Sequence, residues 1–489
     1  MRFHMPDPSR FKRLLAPVLA SCALLAGSVG AQTLPPEVQT ALVRAKIPLD
    51  AVSLLVTSVD SKAPARLSHR ADAPMNPASV MKLLTTYAAL DLLGPAYVWR
   101  TPVWLDGPVV DGTLQGNLVI QGQGDPKLVL ERLWLLLRRV QSLGVQRIAG
   151  HIVLDRHAFE VSIGDPADFD GEPLRPYNAR PDALLLNYKA LVLTFTPEPT
   201  GNTARVQLDP PLAGVSWPAQ VPMFVGACND YRANLKADFS NPKMITMSGS
   251  FPSTCGEKVW SVAYSDPANY NTRAIAGLWQ SMGGQLTGKV LDGAAPLTSP
   301  TFEVSSPTLA EVIRDINKFS NNVMAQQLFL TLGLPDMGAA LPSGAPLIGT
   351  ATSESARKTL RQWWQRRIHP QEVPIIDNGS GLSRQTRISA QQLTQLLQLA
   401  WASPVMPELL ASLPVVGLDG TLKRSKAGVA TAHLKTGSLR DVTALAGVVH
   451  ASSGKRYVLI ALVNHTNAGA AKPAFDALID WVARDEPGK

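Results

Sequence analysis

The stretch that decides the fold is Asn76–Leu84, with the sequence NPASVMKLL. Asparagine is a favoured helix N-cap, and proline suits the first helical position, where no backbone N–H is needed. Apolar residues then recur at helical spacing as far as Ala88. Gly94 and Pro95 end the pattern, because glycine is favoured just past the last turn and proline cannot continue a helix. The stretch therefore predicts the start of a buried helix.

Ser79 and Lys82 are three residues apart, so they share one face of this helix. A serine hydroxyl is a poor nucleophile until a base takes its proton, and a lysine amine can do so when burial and a nearby cation lower its pKa. Ser79 also lies in the first turn, whose N–H groups have no partner within the helix, so its own N–H can stabilise an oxyanion. Ser-x-x-Lys alone also fits an ordinary helix start with a solvated lysine.

A second motif, Ser320-Asn321-Asn322, falls within a helical pattern over Thr308–Leu332. At a helix junction the Ser320 and Asn322 side chains can face one cleft. There the carboxamide can hold Lys82 or a substrate carbonyl, and the hydroxyl can shuttle a proton to the leaving amine. The alternative is a polar patch that interrupts a helix.

The third motif is Lys435-Thr436-Gly437-Ser438, on a segment that alternates at strand period. Lys435 offers a fixed cation for a substrate carboxylate, with the Thr436 hydroxyl beside it. Gly437 has no side chain, so a ligand can approach the backbone closely, and the Ser438 N–H would be a second oxyanion donor. The alternative is an edge strand protected by a lysine.

The first 31 residues predict a cleaved secretory signal peptide and hence a periplasmic protein. Three basic residues precede an apolar run over 14–25, which is too short to span a membrane, and small residues place the cleavage after Ala31. No later stretch is long and apolar enough to cross a bilayer. The sequence around Cys22 resembles a lipoprotein box, so lipidation there is an alternative.

The charge, histidine and cysteine content limits the classes of partner and site that the sequence predicts. The 489 residues include 46 Lys and Arg and 38 Asp and Glu; removal of the signal takes away four basic residues and one acidic residue, which leaves a net charge of +5. The charge is spread out, which excludes a nucleic-acid partner but is compatible with peripheral association with an anionic wall or membrane surface. No histidine has the spacing of a metal ligand, so we predict no metal and no cofactor. Cys228 and Cys255 remain after export and predict a structural disulfide.

The order of Ser-x-x-Lys, Ser-x-Asn and Lys-Thr-Gly is the signature of the penicillin-recognising serine enzymes. The sequence resembles one family among them, the low-molecular-mass class C penicillin-binding proteins, which are S13-like D-alanyl-D-alanine carboxypeptidases and endopeptidases. Ser79 and Ser320 are 241 positions apart, which matches the long insertion that marks this family. The stretches that carry the resemblance are Asn76–Gly94, Gly116–Lys127, Lys318–Leu328, Asp377–Ser389 and His433–Asp441.

The resemblance implies an α/β fold. We expect a β-lactamase/transpeptidase-like domain of antiparallel sheet with flanking helices, interrupted by a β-rich insertion that holds a second, nested module. The expected division is a signal peptide at 1–31, a catalytic domain at 32–97 and 300–489, an inserted domain at 98–183 and 264–299, and a small nested β-rich domain at 184–263.

The resemblance also implies roles for the motif residues. Ser79 would be the acylated nucleophile and Lys82 its proton acceptor, while Ser320 and Asn322 would complete the proton relay and hold the peptide. Gln326 stands where the family resemblance leads us to expect an acidic residue. This departure removes no catalytic group.

The third motif would bind the substrate. Lys435 and Thr436 would take the terminal carboxylate, and the N–H groups of Ser79 and Ser438 would form the oxyanion hole beside Gly437. Ser438 replaces a commoner threonine.

The resemblance implies an exported serine D-Ala-D-Ala carboxypeptidase that acts on peptidoglycan stem peptides and also on D-Ala-to-diamino-acid cross-links. β-Lactams would inhibit it covalently. One alternative is a serine β-lactamase or esterase of the same superfamily, against which the sequence has neither a clear Glu-x-x-x-Asn loop nor a tyrosine in place of Ser320. The other is a non-catalytic wall-binding scaffold, and the presence of Ser79, Lys82 and Lys435 argues against it.

Overall fold

A computed structural model describes residues 33–60, 63–160, 164–335 and 349–485. The predicted signal peptide, its cleavage site at Ala31 and the alternative lipidation site at Cys22 lie outside the described residues. Within the described ranges, no helix is long and apolar enough to cross a lipid bilayer.

The described residues form eleven α-helices and twenty-one β-strands. The helices are α1 (Pro36–Arg44), α2 (Lys82–Leu93), α3 (Leu130–Ser142), α4 (Tyr231–Leu235), α5 (Tyr270–Ser281), α6 (Leu309–Lys318), α7 (Asn322–Thr331), α8 (Ser353–Arg367), α9 (Ala390–Trp401), α10 (Met406–Ser412) and α11 (Lys472–Arg484). The strands are β1 (Val52–Ser58), β2 (Leu67–His69), β3 (Arg100–Asp106), β4 (Val109–Val110), β5 (Thr113–Leu114), β6 (Asn117–Gln121), β7 (Arg147–Ile148), β8 (Ile152–Asp155), β9 (Ala190–Pro197), β10 (Thr203–Asp209), β11 (Gln220–Phe224), β12 (Ala237–Asp238), β13 (Thr246–Met247), β14 (Phe251–Pro252), β15 (Lys258–Ala263), β16 (Gln285–Leu286), β17 (Val290–Asp292), β18 (Phe302–Ser305), β19 (Ala432–Leu439), β20 (Val442–His450) and β21 (Arg456–Asn464).

The two ends of the chain meet in one antiparallel sheet, with the strand order β19-β20-β21-β1-β2. Side chains alternate across a strand, so Leu54 and Val56 of β1 pack into the core that contains α1 and α11, and Leu55 packs into the core that contains α2. Burial on both faces requires helices on both sides of the sheet. The predicted α/β fold, an antiparallel sheet with flanking helices, is confirmed.

The middle of the chain forms separate sheets. One has the order β17-β8-β6-β3-β18, and a second, β14-β11-β10-β9-β15, is built from residues 190–263. Strands β3 and β18 are antiparallel neighbours, so the chain leaves for these sheets and returns from them at adjacent positions. On this evidence we propose the three-part division of the mature chain stated above. One hydrophobic cluster, from Val103 to Phe302, includes residues of both sheets.

Cys228 and Cys255 form a disulfide in the structure, with an S–S distance of 2.06 Å. The disulfide joins the segment after β11 to the segment between β14 and β15, and both cysteines lie outside the three motifs.

The helical pattern over Thr308–Leu332 forms two helices, with the second motif at the junction between them. It is divided into α6, which ends at Lys318, and α7, which begins at Asn322. The break lies at Ser320, which has a left-handed φ of +57° that no α-helix contains. Asn321 then caps α7, because its side chain accepts a hydrogen bond from the Met324 N–H.

Candidate active site

Ser79, the predicted nucleophile, lies in a 3₁₀ turn, Ala78–Met81, that runs into α2. The sequence predicts a regular helix start here, with Asn76 as its cap; Asn76 does accept a hydrogen bond from the Ala78 N–H at 2.9 Å. In a 3₁₀ turn, side chains at i and i+3 are eclipsed, whereas an α-helix offsets them. The turn therefore aligns Ser79 with Lys82, whose Nζ lies 2.9 Å from the serine Oγ.

Two glycines pack against this turn. Ala78 has a left-handed φ of +46°, a conformation that costs a non-glycine residue about 1–3 kcal/mol. A Cβ on Gly381 would overlap the Ala78 carbonyl oxygen, and one on Gly437 would overlap the Pro77 carbonyl oxygen. The sequence predicts that Gly437 admits a ligand; in the structure the space beside Gly437 is taken by the Ala78–Met81 turn and the residue before it, which approach β19 closely.

Lys82 is completely buried and surrounded by oxygen atoms. Besides Ser79, its Nζ lies 2.6 Å from Asn322 Oδ1 and 2.6 Å from the Ser380 carbonyl oxygen. Burial first, and the nearby Lys435 charge second, hold the pKa of Lys82 well below its usual value. The amine is therefore readily neutral.

The neutral amine has two N–H donors and one lone pair. The Asn322 and Ser380 oxygens can only accept, so they take the two N–H groups. The lone pair is then left for the third neighbour, the Ser79 hydroxyl, which can donate. This arrangement prepares Lys82 to remove the serine proton.

Lys435 is, like Lys82, completely buried. Its Nζ donates to Ser320 Oγ at 3.0 Å and to the Thr436 carbonyl at 2.7 Å, so it connects β19 to the α6–α7 junction. Burial lowers the pKa of Lys435 to about 7. The Thr436 hydroxyl is half-buried and donates to Thr421 Oγ1 at 2.7 Å, whereas Ser438 is exposed.

The structure thus brings the predicted residues Ser79, Lys82 and Asn322 into direct contact through Lys82. Ser320 contacts Lys435, and no hydrogen bond joins it to Lys82 among the described side chains.

Sequence reasoning missed the role of the loop at 377–384. The Ser380 carbonyl binds Lys82, and the Ser380 hydroxyl donates to Asn378 Oδ1 at 2.9 Å and lies 3.4 Å from Gln326 Nε2. Gln326, which stands where an acid is expected, therefore supports this loop. The glycine-rich sequence of the loop was the available signal for a functional role. The contact with Lys82 could not be predicted, because every residue type has the same backbone carbonyl.

A cavity of about 490 Å³ adjoins this loop. Its lining comes from residues of the segment 377–385, from Glu160 and residues of the segment 166–181, and from α7 and α8. Its lining carries both charges, including Arg384, whose guanidinium lies 4.9 Å from the centre of the Phe169 ring, and Asp168, which accepts from Arg180 at 2.9 Å. Across the described ranges, no group of three or more His, Cys, Asp or Glu residues is placed to hold a metal ion.

The model of the D-Ala-D-Ala carboxypeptidase 3 (S13) family matches residues 35–485. The chain belongs to this family. The S13 match runs from before α1 to beyond α11, so it covers every element of the site described above.

Individual S13 relatives are similar over most of their length. The chain is 27% identical over 415 residues to a D-alanyl-D-alanine carboxypeptidase of an Actinomadura species, covering 81% of this chain and 74% of the relative. It is 24% identical over 407 residues to a D-alanyl-D-alanine carboxypeptidase of Haemophilus influenzae, covering 80% of this chain and 81% of the relative.

A solved structure shares the fold. The crystal structure of penicillin-binding protein 4 from Haemophilus influenzae aligns with a TM-score of 0.68 at 20% identity, covering 90% of this chain and 99% of that one. A second crystal structure of that protein, in complex with a β-lactam, aligns with a TM-score of 0.64 at 20% identity, covering 91% and 99%.

Gly381→Ala is expected to lower both stability and activity of this S13 protein. The new methyl group would overlap the Ala78 carbonyl, and Gly381 has a φ of +77°, so we expect a loss of about 3 kcal/mol or more in the free energy of unfolding. The matched control is Gly454→Ala, where φ is +85° but no atom lies within 4 Å of the new Cβ. The control should lose only about 1 kcal/mol. Equal melting temperatures for the two variants would contradict the close packing of the loop on the turn.

Proposed function

We propose that the protein is an exported serine D-Ala-D-Ala carboxypeptidase that forms an acyl-enzyme on Ser79. The observation that carries the proposal is the buried Lys82 amine, whose Nζ lies 2.9 Å from Ser79 Oγ and 2.6 Å from two oxygens that can only accept hydrogen bonds. Membership of the S13 family gives the reaction class. Export rests on the predicted signal peptide.

Acylation would begin when Lys82 takes the Ser79 proton as Oγ attacks the carbonyl carbon of the penultimate D-alanine. The N–H groups of Ser79 and Ser438 would stabilise the oxyanion that forms. Collapse of this intermediate breaks the peptide C–N bond, and the leaving D-alanine nitrogen takes the proton that Lys82 accepted from Ser79, which returns Lys82 to its neutral form. Water then attacks the ester in the same way, which releases the shortened peptide and restores the Ser79 hydroxyl.

The terminal carboxylate of the substrate would lie against the Thr436 and Ser438 hydroxyls. Lys435 is fully buried behind them and supplies a positive charge through its contacts with Ser320 and the Thr436 backbone. A bound carboxylate favours the protonated form of Lys435, whose pKa burial otherwise lowers.

Covalent inhibition by β-lactams is part of the proposal. A β-lactam carries a strained amide and a carboxylate, so it would acylate Ser79 by the same steps and resist deacylation. The Haemophilus influenzae protein of the same fold was solved in complex with a β-lactam.

DD-endopeptidase activity is a second candidate function. The cavity beside the Ser380 loop carries charges of both signs, including Arg384, Arg180 and Asp168. In the cross-link the amine of the diamino acid is the nitrogen of the scissile amide, and a carboxylate remains free beside it. The guanidinium groups of Arg384 and Arg180 suit this carboxylate. Hydrolysis of a D-Ala-to-diamino-acid cross-linked dimer, measured beside a stem peptide with a free D-Ala-D-Ala end, tests this candidate.

The direct test of the proposed function is release of D-alanine from a synthetic stem peptide ending in D-Ala-D-Ala. We expect kcat/KM for this peptide to fall as the pH rises through about 7, because kcat/KM reports the free enzyme and Lys435 loses its proton there. A thioester substrate that lacks the carboxylate is the control, and its kcat/KM should not show this fall. No D-alanine release from folded protein at any pH would contradict the proposed function.

A further inference from the structure

A second concave site lies in the inserted region, away from the three motifs. It is a groove of about 1060 Å³ between α3 on one side and β10 with residues 211–219 on the other. It therefore lies between the two inserted sheet regions, and clefts between such units are common binding sites.

The groove is lined by aromatic and aliphatic side chains that remain open to solvent. Trp134 and Leu135 of α3 are 43% and 59% exposed. Trp217 lies opposite, half-buried, with its indole N–H donating to the Val206 carbonyl. Large apolar side chains gathered at a concave surface are unusual unless a ligand covers them.

A row of planar polar groups follows the groove along β10. Arg205, Gln207 and Asp209 alternate on the strand, so they point to the same side at intervals of about 6.8 Å. Gln207 Nε2 donates to Asp209 Oδ2 at 2.8 Å, and Arg205 pairs with Glu198 at 3.6 Å. These groups offer both donors and acceptors beside the tryptophans.

The charges at the groove are balanced. Arg205 and Asp209 on the strand line the groove and are opposite in sign. Glu131 of α3 also lines the groove, and Arg138 lies next to the lining, with its guanidinium 5.9 Å from the centre of the Trp134 ring. A groove whose local charge cancels favours a neutral occupant over an acidic or basic peptide.

We propose that this groove binds the glycan chain of the cell wall, a neutral polymer of N-acetylated aminosugars. A pyranose ring has an apolar C–H face that packs on the electron-rich face of an indole, and a rim of hydroxyls and amides that both donate and accept hydrogen bonds. Trp134 and Trp217 match the first feature, and Gln207 and Asp209 match the second. The choice of ligand rests on the proposed function, because stem peptides are attached to this polymer.

The test uses a hexamer of β-1,4-linked N-acetylglucosamine, titrated into the full-length mature protein and followed by calorimetry. We expect the native protein to bind it and Trp134→Ala to bind it about fivefold or more weakly. Phe224→Ala is the matched control, because Phe224 is similarly exposed, at 40%, but does not line the groove. It should bind the hexamer as the native protein does.

Activity separates this proposal from the proposed function. Trp134→Ala should release D-alanine from a free stem peptide at the native rate and from glycan-linked stem peptides more slowly. If the native protein binds the hexamer but releases no D-alanine, the result would contradict the proposed carboxypeptidase function and support the proposal for the groove. The groove proposal is overturned if the native protein does not bind the hexamer, or if Trp134→Ala binds it equally well. It is also overturned if sedimentation shows a native dimer that Trp134→Ala converts to a monomer, since the occupant would then be a second copy.

Discussion

Ser79→Ala is expected to abolish covalent labelling by a fluorescent penicillin and to lower D-alanine release about 10⁴-fold. The variant removes only the Oγ atom that would form the ester, and it keeps the backbone N–H. The loss of labelling and of D-alanine release would therefore come from the missing acylation step, because the fold around α2 is retained. The measurement is the labelled band on a denaturing gel beside the rate of D-alanine release.

Two comparisons sharpen this result. Ser248→Ala removes an exposed hydroxyl in the inserted region and should label like the native protein. The lifetime of the native label separates two enzyme classes: a carboxypeptidase inhibited by penicillin keeps the label, whereas a β-lactamase loses it within seconds. Labelling of Ser79→Ala at the native rate would refute Ser79 as the nucleophile.

Lys82→Met is expected to slow acylation by penicillin about 10³-fold, the usual contribution of a general base. Methionine fills a similar volume but has no lone pair to accept the Ser79 proton. The Asn322 and Ser380 oxygens lose their donor, but the fully buried amine no longer has to be desolvated, so we expect only a small change in melting temperature. Second-order acylation rates and thermal unfolding measure the two effects.

The stability of this variant should also depend less on pH. The folded-state pKa of Lys82 is lowered, so between about pH 8 and pH 10 the unfolded chain binds more protons than the folded one. Stability therefore rises with pH in this window, and Lys82→Met should show a smaller rise than the native protein. Lys435 contributes the same trend in both proteins, so the difference reports Lys82.

Lys189→Met is the matched control for Lys82→Met. Lys189 is also buried, but it lies in the inserted region and pairs with Asp182 at 2.7 Å. Its loss removes an ion-pair partner from a buried carboxylate, so it should lower the melting temperature and leave the acylation rate unchanged. An acylation rate for Lys82→Met equal to that of Lys189→Met would exclude Lys82 as the base.

Much of the site could be predicted because its side chains carry local signals. Ser79 and Lys82 are close in sequence, so helical geometry alone brings them together. The Lys435–Ser438 segment lies on a strand whose alternation is visible in the sequence, and the structure has it as β19. The long helical pattern after Thr308 was harder, because apolar spacing does not register a single left-handed residue such as Ser320.

The sequence by itself determined the residue types that can act as nucleophile, base and cation, because these depend on side-chain chemistry and on helix and strand periodicity. The α/β fold was implied by the family resemblance that the three motifs carry, and the structure confirms it. The insertion between the first two motifs was also implied by that resemblance and stays a prediction. Only the tertiary structure decided that the Ser380 carbonyl holds Lys82, that Lys435 contacts Ser320, and that Gly381 and Gly437 make room for the turn that carries Ser79. The physical reason is that backbone carbonyls are the same in every residue, and contacts between segments hundreds of positions apart depend on how the sheet and helices pack.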